Sequence, residues 1–513
     1  MVTSEGGSEG ARAPRRGGGP CALLRQSPYS LYVLLLLMAA YLLSKMDRYM
    51  LAVVARPSAQ EIHFGDRGCL LNVSAESSLT AADCTNATDS LSCVTLADRA
   101  GVAGCSWDYT GTGLQYDLLA GPVFTLVFTV AGLPLGLAAD RCNRKLLLCA
   151  CLLVWAVCVV LTGLAQRYWQ LAALRFGVGF GEAGCTPLAT SLLADYFSPE
   201  LRGTALGVYN WGIYFGYSLA YAVGDFITEA DIMGMGWRWA YFMSGAPGVL
   251  LALLMLATLR EPPRADLSAP SAAARAVPRL LRLFARPPLL LLALAGSVRN
   301  AAVYVWSYST ETFFESQGQT PAQVGAYMSW VPLVSGPLGL LLGGLVSDGA
   351  GRRLGPAGRL GAVAASQLLA APFVVGVLLL RPPWAYISII PSYIIGELWF
   401  PISLVVLVEL TPADLRNAAV AFYIFVITNI GGNMQLLLKP LMDAFQHTGR
   451  SYLQAYRDAL FVLFPGQYVL AACLYLAALV ALKAETRRYL QQKDAKDRVK
   501  DLSGVGNLAY RDK

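Results

Sequence analysis

The chain has 513 residues, 56% of them hydrophobic and only 14% charged, against about a quarter charged in an ordinary soluble globular protein. Lys and Arg number 40 against 33 Asp and Glu, a net charge of +7. These cations fall in the segments between long apolar blocks, so they read as topology signals and not as a nucleic-acid surface. A soluble enzyme and a nucleic-acid-binding protein are excluded, and an all-α polytopic membrane protein is predicted, with the lipid bilayer as its first partner.

Met1 to Gln26 is polar, rich in Gly and Arg, and lacks the apolar centre of a cleavable signal peptide. Residues 1–28 are therefore expected to form a disordered arm. Twelve apolar blocks follow, each near the roughly 20 residues a helix needs to cross a bilayer. The first six lie near 29–56, 114–139, 146–166, 168–194, 202–226 and 238–259. The second six lie near 287–314, 321–348, 358–380, 384–410, 416–443 and 459–483. The organisation predicted is two six-helix bundles, 29–260 and 287–483, joined by a Pro-, Ala- and Arg-rich linker over 261–286, with a tail over 484–513.

Arg and Lys gather in the N-terminal arm, in the second-to-third connection (Arg141, Arg144, Lys145), in the linker, in the eighth-to-ninth connection (Arg352, Arg353, Arg359) and in the tail. With an even span count these segments share one side, which predicts that both termini are cytoplasmic. The long first loop, 57–113, must then face the opposite side. It carries two glycosylation sequons, at Asn72 and Asn86, and four cysteines, Cys69, Cys84, Cys93 and Cys105. Two disulfides are expected there, with three pairings open. The remaining cysteines are read as packing residues, and no metal-ligand spacing with His63 or His447 is present. No cofactor or metal is expected. Without a Walker motif or a catalytic triad, neither an ATP-driven pump nor an enzyme is indicated.

The chain repeats itself. Gly136-Leu-Ala-Ala-Asp140-Arg141-Cys-Asn143-Arg144-Lys145 closes the second span, and Gly344-Leu-Val-Ser-Asp348-Gly-Ala-Gly351-Arg352-Arg353 closes the eighth. Gly181-Glu182 with Pro187 leads to Asp195, Pro199 and Arg202. Gly396-Glu397 with Pro401 leads to Glu409, Pro412 and Arg416. Two ordered pairs at matching places in two halves indicate a parallel duplication, the plan of transporters with a site between two bundles.

The paired loop motif, together with Arg175-x-x-x-Gly179-x-Gly181, resembles the signatures of the major facilitator superfamily over essentially the whole membrane region. Within that superfamily the chain looks like a distant relative of the spinster-type transporters. The resembling residues are Met46-Asp47-Arg48, Asp140 to Lys145, Arg175 to Glu182, Gly236-Trp-Arg-Trp239 and Arg260-Glu-Pro-Pro-Arg264. The long cysteine-bearing first loop departs from that pattern. The resemblance implies that the Asp47-Arg48 pair lines the cavity and takes part in proton coupling. It also implies a cytoplasmic latch of Gly136, Asp140, Arg141, Arg144, Gly344, Asp348, Arg352 and Arg353, extended by Asp195, Arg202, Glu409 and Arg416. Lysophospholipid or sphingolipid transport is the alternative substrate class it implies.

The residues themselves mark a site. A charge at a helix centre costs about 2.5–3.5 kcal/mol on insertion scales, so it normally faces a cavity or a partner. Lys45, Asp47 and Arg48 break the apolar run of the first span. Lys45 and Arg48 can share a helix face, whereas Asp47 lies about 160° from Lys45. Lys45 sits roughly 24 Å of helix from the span's start, so snorkelling to the interface is its alternative fate. In the fourth span Arg175 and Glu182 share one face, and Arg175 is expected to neutralise Glu182 or Asp47, or to anchor an anion. Glu397 has no Arg at the corresponding offset, so the coupling chemistry is expected in the first half. Ser297, Arg299, Asn300, Tyr304, Trp306 and Tyr308 in the seventh span, with Asn429, Asn433 and Gln435 in the eleventh, are expected to line the cavity. The run Gly177, Gly179, Gly181 fails the spacing of a nucleotide loop and reads as close helix packing. Gly207, Gly212 and Gly216 are expected at the interface between halves.

The function these features predict is a monomeric secondary transporter of a small organic anion or amphipath, working by alternating access and coupled to protons through Asp47 and Glu182. A solute sensor that binds without transport is the alternative from another class. Lacking an acidic-dileucine signal in the tail, the protein is expected at the plasma membrane in preference to the lysosome.

Overall fold

The computed structural model describes residues 27–71, 84, 90–99, 105–198, 201–262, 271–412 and 415–508. The predicted arm, Cys21 and the sequon residues Asn72 and Asn86 lie outside them, as do the side chains of Gly136, Asp140 and Arg141.

Each apolar block becomes a helix because a helix satisfies its backbone hydrogen bonds within the segment, which lipid cannot do. The first half contains α1 (Pro28–Val53), α2 (Leu114–Ala120 continued by Pro122–Arg141), α3 (Arg144–Thr162), α4 (Tyr168–Tyr196), α5 (Arg202–Asn210 continued by Gly212–Ala230) and α6 (Arg238–Thr258). The second contains α7 (Pro287–Ser316), then a long run from Pro321 to Leu379 that Gly355, at φ +60°, divides into α8 (321–354) and α9 (356–379). α10 (Trp384–Gly396 continued by Trp399–Leu410), α11 (Arg416–Asn433 running on to Leu438–His447) and α12 (Tyr452–Leu463 continued by Pro465–Leu508) complete it. Among the described residues nine stretches are long and apolar enough to cross a membrane, one of them holding both α8 and α9. α4 and α5, diluted by charged and small residues, bring the spans to twelve.

Local sequence sets the helix starts. Pro28 opens α1 behind Ser27, whose hydroxyl accepts from the Ser30 backbone N–H at 3.1 Å. Thr320 with Gln323, and Ser451 with Gln454, form capping boxes that start α8 and α12. α12 thus begins seven residues before the apolar block itself (459) and its helix continues through the expected tail to Leu508. The linker holds a helix, Ser271–Phe284, that buries Leu280, Leu283 and Phe284, with Phe284 against Phe422 at 4.8 Å between ring centres.

The first loop adds the only strands among the described residues. β1 (Arg67–Leu71) pairs antiparallel with β2 (Cys105–Tyr109), Cys69 opposite Trp107. Cys69 bonds to Cys93 and Cys84 to Cys105, so two disulfides close the loop, with the pairing now fixed.

In the first half α3 packs on α4 and α6, α5 on α1, and α2 on α4; in the second, α8 and α9 pack on α10, and α7 on α11 and α12. Close approach needs small residues. A Cβ on Gly181 would lie 2.6 Å from the Trp155 backbone nitrogen and one on Gly179 2.9 Å from the Phe124 carbonyl, so the glycine run of α4 serves close packing, Gly177 and Gly181 on α3 and Gly179 on α2. Gly212 and Gly216, expected between the halves, lie instead under α1, where a Cβ on Gly216 would meet the Leu42 carbonyl at 2.5 Å. Gly207 has nothing within 4 Å. Among the described residues the halves meet most extensively where α1 lies against α7, α2 against α11 and α5 against α8.

Candidate functional site

α1 carries Lys45, Asp47 and Arg48 into the interior, where all three are at most 6% exposed. Helical geometry splits them as the spacing requires. Lys45 Nζ and Arg48 Nη2 both reach Glu182 Oε1 from α4, at 2.6 and 2.7 Å. Asp47 points the other way to Arg175 Nη1, at 3.5 Å, and Arg175 also donates to the Arg48 carbonyl at 3.2 Å. Lys45 therefore does not snorkel, and Arg175 pairs with Asp47 and not with Glu182 although it shares a helix face with the latter. Phe124 of α2 lies between the two arginines, its ring 4.4 Å from the Arg48 guanidinium and 5.1 Å from that of Arg175. With three cations and two carboxylates, this centre carries one excess positive charge in its fully ionised form.

A second centre lies in the other half. Arg299 of α7 donates through Nε to Gln367 of α9 at 2.7 Å and lies 3.3 Å from Glu397 of α10. Its guanidinium sits over the Tyr468 ring at 4.1 Å. Glu397 is thus paired after all, by a different helix from the one searched for an Arg in the sequence. Each centre is tied to the opposite half: Arg48 Nη1 donates to Tyr304 of α7 at 3.0 Å, and Tyr214 of α5 donates to Glu397 at 3.3 Å. Arg48 Nε, Arg175 Nε and Arg299 Nη1 have no hydrogen-bond partner, nor has Glu182 Oε2.

The other expected lining residues divide. Asn300 donates to the Ile427 carbonyl and ties α7 to α11, and Trp306 stacks on Phe464 at 4.6 Å, so both hold helices together. Asn433 accepts from Thr125 of α2 at 2.8 Å, across the halves. Tyr116 donates to the Tyr308 carbonyl, Thr112 lies 3.0 Å from the Tyr452 hydroxyl, and Lys439 pairs with Asp66 at 2.7 Å. Among the described residues every such cross-half bond lies at the level of the ionic centres or toward the face that carries the first loop. On the opposite, linker-bearing face Gly344 has nothing within 4 Å, and Asp348, Arg352 and Arg353 are exposed. Among the described residues, then, side-chain bonds join the halves at the loop face and none joins them at the linker face.

At the linker face the predicted pairs re-sort. Arg144 binds Asp195 at 2.6 Å and Glu261 at 2.9 Å, while Arg202 donates to the Phe197 carbonyl. In the second half Arg359 binds Glu409 and Ser347, while Arg416 donates to the Thr411 carbonyl and Arg352 to that of Asp348. Arg202 and Arg416 thus cap turns and do not pair with the acids. The counterpart of Arg144 is Arg359, not Arg352, because the break at Gly355 starts α9 later than the motif suggests. Sequence reasoning also missed Phe124, Tyr214 and Gln367. The lone Gln367 in an apolar span meets the criterion that singled out Asp47; the two aromatics gave no signal.

The sequence pattern of the Major Facilitator Superfamily runs through residues 37–434. An MFS-type efflux pump of Mycolicibacterium smegmatis (strain ATCC 700084 / mc(2)155) is 27% identical over 359 residues, 69% of this chain and 82% of the relative. Protein spinster homolog 1 of Homo sapiens is 31% identical over 172 residues, 33% of this chain and 32% of the relative, so the chain spans about a third of that protein's length. Among solved structures, a bacterial homolog to the human lysosomal transporter Spinster, inward-facing and unoccupied, superposes with a TM-score of 0.68 at 24% identity, over 89% of this chain and 98% of that one. That likeness carries the fold. A family pattern covering more than half of the chain, laid over twelve spans in two halves, makes this protein a member of the Major Facilitator Superfamily, a distantly spinster-like, non-enzymatic, multi-pass membrane transporter.

Proposed function

We propose that the protein carries a small organic anion, or an amphipath with an anionic head, by alternating access. The observation that carries this reading is the three buried arginines, Arg48, Arg175 and Arg299, each with a guanidinium nitrogen lacking a partner. An unpaired buried donor is costly, and an anionic group that reaches such a nitrogen relieves that cost. The rings of Phe124 and Tyr468 beside them suit the apolar part of such a solute. Protons are the coupling ion in this reading. Glu182, clamped by two cations, locks α1 to α4. Asp47, held at 3.5 Å by one, exchanges the proton.

The bundles at 29–260 and 287–483, the linker at 261–286 and the tail at 484–513 are the units that rock. The loop face is extracytoplasmic and glycosylated at Asn72 and Asn86, both termini are cytoplasmic, and the protein works as a monomer at the plasma membrane. In the closed outward-facing state the Gly136–Lys145 and Gly344–Arg353 segments form the cytoplasmic latch.

Counterflow of labelled solute in proteoliposomes tests transport against mere sensing, after a thermal-shift screen of lysolipids, organic anions and amino-acid derivatives has named a ligand. Proton coupling is wrong if Asp47→Asn and Glu182→Gln both leave the pH dependence of uptake unchanged. The spinster likeness favours a second reading, a lysolipid carrier. Stabilisation by lysolipids and by no water-soluble anion selects it.

A further inference from the structure

Away from the ionic centres, at the loop-face seam between the halves, a second set of acids is buried. Asp225 of α5 is 1% exposed and Glu311 of α7 is 3% exposed. Asp225 Oδ2 and both carboxyl oxygens of Glu311 have no hydrogen-bond partner. The two acids lie within electrostatic reach of each other and of Glu315, one turn further along α7. The backbone of α8 closes the site from above: a Cβ on Gly325 would lie 2.7 Å from Asp225 Oδ2. The cluster therefore bridges α5 of one half and α7 and α8 of the other, at a seam that must open for the protein to face outward.

The groups facing this cluster do not neutralise it. From the helix Ala55–Ile62, Arg56 lies 3.8 Å from Glu315. From α5 come the hydroxyl of Tyr221 and the exposed carboxylate of Glu229; from α10 comes Tyr386, stacked between Phe314 and Tyr327; from α12, Tyr456 faces Glu315. The hydroxyls of Tyr221 and Tyr386 are themselves unpartnered. One guanidinium thus faces two buried carboxyls and the partly buried Glu315. Removing an ionised carboxylate from water without a partner costs several kcal/mol, and two such charges side by side repel. A proton on each carboxyl removes both costs in place.

We propose that Asp225 and Glu311 form a proton-binding site that locks the loop-face gate shut. With protons bound, neutral carboxyls share the seam with Tyr221 and Tyr386. When the seam parts, water reaches the acids and the protons leave. The closed state binds more protons than the open one, so acid on the loop face favours closure and alkali favours opening, by up to about tenfold per pH unit for each proton released. The site is independent of the coupling proposed for Asp47.

The test places a reporter in the seam of the full-length protein in membranes. Ser309 of α7 is 1% exposed and follows Tyr308, whose carbonyl accepts from Tyr116 of the other half across the closed gate. In a Ser309→Cys variant, labelling by a membrane-impermeant maleimide from the loop face, always expressed relative to that of an exposed Thr448→Cys at the same pH so that the thiol's own titration cancels, should quicken severalfold as the pH is raised from about 5.5 to 8. Adding Asp225→Asn and Glu311→Gln should hold labelling at its slow, acid level at every pH, while adding Asp47→Asn should leave the pH response intact. A reporter on wild-type acids that ignores pH overturns the proposal, and so does a double variant that keeps the wild-type response. If Asp47→Asn abolishes the response, the sensing group is the ionic centre and the seam site is wrong. Should the double variant fail to reach the membrane, Glu311→Gln alone must at least halve the response.

Discussion

The two halves hold equivalent glutamates in different company. Glu182 is held by Lys45 and Arg48 at 2.6 and 2.7 Å, with Asp47 and Arg175 as a further pair beside it. Glu397 faces one cation, Arg299, at 3.3 Å, and shares it with the neutral Gln367. Duplication supplied both halves with a carboxylate on the fourth helix of the bundle, and divergence elsewhere decided what each can do. A carboxylate between two cations is a lock. One with a single, longer contact and a tyrosine from the opposite half can move between states. In the function proposed above, the first centre combines a lock with a separate proton group, and the second is a contact for solute and for the partner half.

The severest way to break this contrast is Glu182→Gln. It leaves Lys45 and Arg48 buried without an anion, and removing one partner of a buried pair costs about 3–5 kcal/mol. Thermal unfolding in detergent should fall clearly and counterflow should vanish; an unchanged unfolding temperature would show that the two-cation clamp does not hold α1 to α4. Asp47→Asn comes next. The longer contact to Arg175 makes its stability cost smaller, while net uptake should lose its dependence on pH between about 5.5 and 8, with solute exchange retained. Persistence of the pH profile would move the proton group elsewhere.

Glu397→Gln should sharpen the comparison from the other side. Arg299 keeps Gln367 and its contact with Tyr468, so a loss of about 1–3 kcal/mol is expected. It should appear as a raised KM with the pH profile unaltered. A flattened profile would put proton coupling in both halves. The mildest change is at the linker face. Asp195 and Glu409 are about a third exposed, and a partly solvated pair is worth about 0–1 kcal/mol. Asp195→Asn and Glu409→Gln should each leave unfolding within that range and substrate affinity unchanged, measured on the same preparations.

Much of the molecule was legible as text. Twelve spans, two halves and an oppositely facing cysteine loop follow from block length, the repeated Gly-x-x-x-Asp motif and cation placement. Charges inside apolar runs pointed to Lys45, Asp47, Arg48, Arg175, Glu182, Arg299 and Glu397 because burial of a charge needs a reason. The same criterion, applied to every acid in a span, also reaches Asp225 and Glu311. What could not be read was which charge meets which. Arg175 and Glu182 share a helix face by spacing, yet Asp47 takes Arg175, since the partners come from another helix whose rotation the sequence does not state. The offset search for an Arg near Glu397 failed for the same reason: Arg299 arrives from α7.

By itself, then, the sequence determined the number and approximate place of the spans, the duplication, and the residues that must be buried with partners. These depend on the chain's own periodicity and on the cost of charge in lipid, both of which are local. Only the tertiary structure decided the pairing of Lys45 and Arg48 with Glu182, the choice of Arg359 over Arg352 for Glu409, the disulfide connectivity and the seam that encloses Asp225 and Glu311. Those depend on helix rotation, on where α9 begins after Gly355, and on how two separately folded halves meet, quantities set by packing between segments remote in the chain.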